Sequence, residues 1–175
     1  MSPGSAVLSL VLSLASSASA LAGAPSVPPS LSASAAKSAG VWSWPLQPEP
    51  RVVRGFDPPD RPWLAGHRGV DLAAAVGQTV HSPAPGTVTY AGRLAGRGVL
   101  VVTHAGGLRS TFEPVAATSA VGTSVAESAP VGTVSAEPGH CAPATCLHWG
   151  VLRGRTYLDP LTFVGRGPVI LLPQG

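Results

Sequence analysis

The sequence predicts a mostly β domain of closely spaced antiparallel strands, and three observations carry that prediction. Glycine and proline contribute 21 and 19 of 175 residues, which punctuates the chain too often for long helices. The segments between them are short and rich in Val and Thr. No window sustains a 3.6-residue apolar period beyond a turn or two. A hydrophobic content of 45% is enough for one core.

The strands can be taken in chain order. Thr79 to His81 and Gly86 to Ala91 read as two strands broken by Pro83-Ala84-Pro85-Gly86. Gly98 to His104 is an apolar strand expected to be buried on both faces. Gly106-Gly107 is a tight turn, and Leu108 to Phe112 returns as the second arm of a hairpin. Ala120 to Val125 and Ala129 to Val134 are short pieces, each with a Val-Gly-Thr triplet. Leu147 to Leu152 is a strand that turns at Arg153-Gly154-Arg155 into Tyr157-Leu158.

The flanks differ in composition. Residues 1–24 hold a short apolar stretch, Ala6 to Ala15, followed by Ala18-Ser19-Ala20, and read as a secretory signal with its cleavage site. The stretch is too short to span a bilayer, which takes about 20 apolar residues, so stable membrane insertion is not expected. No Lys or Arg precedes it, and a disordered Ala/Ser-rich leader is the alternative. Residues 25–40 are Pro, Ser and Ala with a single Lys37, a disordered linker. The domain is expected over 41–164, and 165–175 form a Gly/Pro-rich tail.

The net charge is +3, with a pI of about 9.4. Such a balance suits an anionic surface such as a cell wall. There is no Lys/Arg-rich tract, and Arg51, Arg54, Arg61, Arg93 and Arg109 are scattered, so nucleic acid is not an expected partner. A lipoyl- or biotinyl-like carrier would need a Lys at a hairpin tip, but Lys37 is the only lysine.

His67, Asp71 and His148 carry the chemistry. Zinc accepts histidine nitrogen and carboxylate oxygen, and a catalytic zinc typically has three protein ligands and one open position. On a helix His67 and Asp71 would share a face, but Gly66, Gly69 and Val70 argue against one. On a straight strand they would lie about 13 Å apart, so a shared metal needs a bend, which Gly69 permits. By themselves they also fit a surface His and a turn Asp. His148 follows Cys146 by two residues, so on a strand both face one side and Leu147 and Trp149 the other. That pattern describes a lined groove, or a half-buried sheet histidine. Cys141 and Cys146, a close pair in a chain read as exported, are expected to form a disulfide that shapes the approach to His148.

From His67 to Phe163 the chain resembles the lysostaphin/LytM-type zinc metallopeptidases, which cut peptide cross-bridges of peptidoglycan. The resemblance rests on His67-Arg68-Gly69-Val70-Asp71, then Gly77 to Val88, then Val101 to Gly107, the Val121-Gly122 and Val131-Gly132 pairs, Cys146-Leu147-His148, and Asp159-Pro160. It implies a compact antiparallel β-sheet sandwich or barrel-like domain with the duplicated hybrid motif. It implies zinc as cofactor, held by His67, Asp71 and His148, and peptidoglycan peptides as substrate. Two positions depart from the family pattern. Pro114 stands where a catalytic histidine belongs, in Ser110-Thr111-Phe112-Glu113-Pro114, and Cys146 replaces the first histidine of His-x-His. Proline offers no substitute, and a disulfide sulfur donates nothing. Glu113 would turn inward only through a bulge, whereas His140 could fold back if Cys141 and Cys146 are joined. His81 and His104 fall at positions the family does not use as ligands. The expected function is therefore secreted, zinc-dependent hydrolysis of cell-wall peptides, slowed by these replacements. The alternative is a non-hydrolytic zinc-binding domain that holds cell-wall peptide or a partner hydrolase.

Overall fold

A computed structural model describes residues 41–165. The expected signal and linker, and all of the tail beyond Gly165, lie outside the described residues. No helix among the described residues is long and apolar enough to cross a membrane.

The strands in chain order are β1 (Val52–Arg54), β2 (Val70–Ala73), β3 (Thr79–His81), β4 (Gly86–Leu94), β5 (Arg97–His104), β6 (Leu108–Glu113), β7 (Val115–Ala117), β8 (Ser124–Val125), β9 (Pro130–Val134), β10 (Cys146–Arg153) and β11 (Thr156–Leu158). The main sheet has eight strands, ordered β1-β2-β10-β6-β5-β4-β8, with β11 also on β10; a smaller sheet is ordered β3-β9-β7. All pairings are antiparallel, so the mostly β expectation holds. The strands β1, β2 and β7 lie outside the segments whose sequence reads as strand.

Period-two alternation decides which face of the main sheet is the core. Leu147, Trp149 and Val151 on β10, Phe112 on β6, Leu100 and Val102 on β5 and Val70 and Leu72 on β2 are buried in one cluster. Val80, Val115, Val131 and Val134 of the small sheet join that cluster, so the two sheets enclose a shared core. The polar groups on this side are partnered, as burial requires. Ser110 is fully buried, and its hydroxyl meets His104 Nε2 at 2.9 Å and accepts from Trp149 Nε1 at 3.4 Å. His104 Nδ1 lies 3.0 Å from the Pro85 carbonyl, so His104 is a core-braced strand histidine.

Intervening residues face the other way and form the floor of a groove. Val99, Val101 and Thr103 of β5 and Arg109, Thr111 and Glu113 of β6 line it. This corrects one expectation, because β5 is packed into the core on one side only. An apolar run such as Val99 to Val102 reads as doubly buried when its second face is a groove with apolar walls. The Gly106-Gly107 turn is a short 3-10 turn, Ala105–Gly107, with both glycines at positive φ (69° and 71°), where glycine is unpenalised.

Candidate metal centre

Strand pairing builds the site. In the main sheet Asp71 of β2 and Glu113 of β6 both sit directly opposite His148 of β10. Residues opposite one another in a ladder share a face, so all three side chains rise from the groove side. His67 joins this row from the segment before β2. An isolated bridge to Asp57 holds its backbone, and the bend to Asp71 passes through Gly69. There is no room at Gly69 for a side chain: a Cβ would lie 2.4 Å from the Trp149 carbonyl oxygen and 2.8 Å from His148 Cε1 and Nε2.

The three atoms His67 Nε2, Asp71 Oδ1 and His148 Nδ1 form a triangle. Its sides are 3.1 Å from His67 to Asp71, 3.1 Å from His67 to His148 and 2.8 Å from His148 to Asp71. Metal–ligand bonds of about 2.0–2.1 Å at tetrahedral angles separate ligand atoms by roughly 3.3 Å, so the donors stand close to the spacing zinc requires. The far ring nitrogen of His67, Nδ1, is 2.5 Å from the Gly55 carbonyl. A proton on Nδ1 for that bond leaves the Nε2 lone pair aimed at the centre of the triangle. All three residues are buried, at 1%, 1% and 8% exposure. The residues therefore fit a zinc ion by donor type, spacing and outer support.

A fourth group stands beside the triangle. His140 Nδ1 lies 3.2 Å from Asp71 Oδ1, and its Nε2 lies 3.4 Å from Glu113 Oε1. With His67, Asp71 and His148 it forms a cluster whose ligand atoms lie within 4.8 Å of one another. The Cys141–Cys146 disulfide is present and ties the residue after His140 to the start of β10. This is the folding-back anticipated for His140. Glu113 requires a correction: it faces the site in regular register, with no bulge. The ladder with His148 sets its direction. Arg97 Nη2 donates to Glu113 Oε1 at 2.9 Å. Nothing in the sequence singles out Arg97, which shares the groove face with Val99 and Val101.

The electrostatics follow from these contacts. Burial would raise the Asp71 carboxyl, but hydrogen bonds from His140 and His148 outweigh it and hold the group well below the usual carboxylate range. Burial likewise opposes ionisation of Glu113, and His140 and Arg97 offset it, bringing the group down to about 2. Hydrogen bonds to Asp71 and Glu113 push His140 up to about 9. Desolvation pulls His148 down, favouring the neutral ring a metal needs. Cys146 is in the disulfide, and Pro114 is buried with no donor, so neither offers the cluster a proton. His81 lies on β3 of the other sheet.

The groove above this cluster has a volume of about 1000 Å³ and reaches from Arg54, His67 and His140 along β6 to Arg109 and Tyr157. A cleft leading to a cluster of convergent titratable groups is a candidate hydrolytic site.

Comparisons with known proteins bear on the family and the fold. Residues 65–160 match the model of Peptidase family M23. The Mycobacterium tuberculosis protein Rv2891 and the Mycobacterium bovis protein Mb2915 are each 45% identical over 134 residues, which is 74% of this chain and 54% of theirs. The chain thus spans about half the length of the curated relatives it matches. Among solved structures, a zinc-containing peptidase from Vibrio cholerae superposes with a TM-score of 0.59 at 20% identity, covering 67% of this chain and 38% of that one. Lysostaphin from Staphylococcus simulans gives 0.57 at 20% identity, over 67% and 50%. A chain of the SpoIIIAH–SpoIIQ complex gives 0.60 at 20% identity, over 70% and 99%. At these identities the structures speak for the fold. The family match spans most of the described domain and contains the whole His67–Asp71–His140–His148 cluster, and this chain belongs to peptidase family M23.

Proposed function

We propose that the chain is an exported, zinc-dependent peptidase of cell-wall peptides in which His140 replaces the missing family histidines. The observation that supports this most directly is the triangle of His67 Nε2, Asp71 Oδ1 and His148 Nδ1 on the groove floor, with His140 beside it. A bound zinc would supply Lewis acidity toward a peptide carbonyl and lower the pKa of water. His140 donates from its ring to the developing oxyanion or the departing amine nitrogen. Glu113 orients that ring through Nε2, and Arg97 keeps Glu113 in place and ionised. One histidine covers the work of two, so turnover is slow: each lost oxyanion donor costs about 100- to 1000-fold. The reading of residues 1–24 as an export signal and the mild positive charge support a place at an anionic envelope.

A second reading has its own observation. His140 Nδ1 is about as close to Asp71 Oδ1 as the His67 nitrogen is, at 3.2 Å against 3.1 Å. As a fourth ligand it would close the open position and make the zinc structural, leaving a domain that binds peptide or a partner hydrolase without cutting. His140→Ala separates the two readings when zinc content and the release of new amino groups from purified cell wall are measured together. A catalytic His140 predicts lost cleavage with zinc retained. A ligand His140 predicts weakened zinc and no cleavage to lose.

A further inference from the structure

The groove carries positive charge that its own residues do not neutralise. Arg54, Arg68, Arg97 and Arg109 line it, and Glu113 is the one carboxylate among the lining residues. Arg97 is paired with Glu113. Arg68 donates to the carbonyls of Pro62 and Leu64, and Arg109 donates to the Gly154 carbonyl at the turn between β10 and β11. Carbonyl partners fix a guanidinium in place and leave its charge intact. Among the described residues, neither of these two arginines nor Arg54 has a carboxylate partner in a salt bridge.

We propose that the groove selects an acidic peptide, with Arg109 reading a free carboxylate remote from the scissile bond and Arg54 reading one beside it. The inference rests on the peptidase reading above and specifies its substrate. Along β6, Arg109 lies four positions from Glu113, and both face the groove. At about 3.3 Å per residue that is roughly 13 Å, so an extended peptide lying along β6 brings a side chain about four residues from the metal cluster to Arg109. At the opposite end Arg54 is the register partner of Asp71, one strand outward. A guanidinium presents two parallel N–H donors that match a carboxylate. A peptide with spaced carboxylates fits better than a nucleic acid, because Arg54 and Arg109 are separate sites rather than a continuous basic track, and the chain's only lysine lies at position 37.

The test uses the full chain loaded with zinc and two blocked octapeptides, one with three Glu and one with three Gln at the same positions. Titration calorimetry at low salt should show the Glu peptide binding about tenfold more tightly, with the advantage shrinking as salt is added. R109Q and R54Q should each reduce that advantage severalfold. R51Q removes the same charge outside the groove lining and should change neither. Equal affinity for the two peptides overturns the proposal, as does an equal loss in R109Q and R51Q. Displacement of the Glu peptide by an oligonucleotide of equal charge at lower concentration overturns it in favour of a nucleic-acid groove. Zinc content and amino-group release on the same samples keep the two claims apart. Selectivity without zinc or cleavage defeats the peptidase reading alone, whereas zinc and cleavage without selectivity defeat this inference alone.

Discussion

Gly69→Ala should damage the metal cluster without touching any of its ligand atoms. The added Cβ would sit 2.4 Å from the Trp149 carbonyl oxygen and 2.8 Å from two atoms of the His148 ring. Ordinary contacts begin near 3.4 Å, so the carbonyl or the bend must give by about 1 Å. Trp149 is fully buried and held in the β2–β10 ladder, so the carbonyl resists moving. The strain falls on the Gly69 bend and on His148. Overpacking of this kind costs about 1–3 kcal/mol, and disturbing a ligand's support weakens metal affinity by about 10- to 100-fold. Urea unfolding of the metal-free protein reads the first quantity, and competition against a chelator of known affinity reads the second. Gly69→Ala with unchanged stability and unchanged zinc affinity would refute the claim that this glycine sets the geometry of His148.

Other expectations follow from contacts elsewhere in the domain. Replacing Cys141 and Cys146 together by Ser opens a loop with a sequence separation of 5, which loop entropy values at about 2 kcal/mol; unchanged unfolding midpoints would refute the stabilising role. The same material, kept non-reduced, should gain two hydrogens per chain on reduction in wild type and none in the variant. Glu137 accepts from the Gly98 amide, Ser135 and Arg93, and these bonds bring it down to about 2. A carboxyl lowered on folding stabilises the fold above its unfolded pKa of about 4.5, and that contribution fades as pH falls toward 2. Glu137→Gln should therefore flatten the acid limb of the stability–pH curve between pH 5 and 2; an unchanged limb would contradict the assignment. Arg97→Gln, which removes the partner of Glu113 at 2.9 Å, should lower cleavage more than zinc content; an equal loss of both would show that Arg97 supports the metal cluster instead.

What could be read from the chain divides along physical lines. The convergence of His67, Asp71 and His148 was legible because their residue types suit one shared site, and because Gly69 marks where the chain must bend. The core face was legible in Leu147 and Trp149, since alternation alone assigns them. The direction of Glu113 was not, because a side chain's face depends on its ladder partner, and pairing with His148 is a long-range fact. Arg97 was hidden for the same reason, its charge reading as an ordinary strand end until β5 and β6 are aligned. β5 looked doubly buried because hydrophobicity does not separate a core from an apolar groove wall. The strands β1, β2 and β7, three or four residues each, are too short to show a period. His140 was reachable only through the disulfide, which turns its loop toward Asp71.

The central claim is that His67, Asp71 and His148 hold one zinc at the floor of the groove. Metal analysis of the purified protein beside His148→Ala tests it most directly. About one zinc per chain is expected in wild type, lost in a His148→Ala variant that stays folded by circular dichroism. Absence of zinc in both, or equal zinc in both, would contradict it.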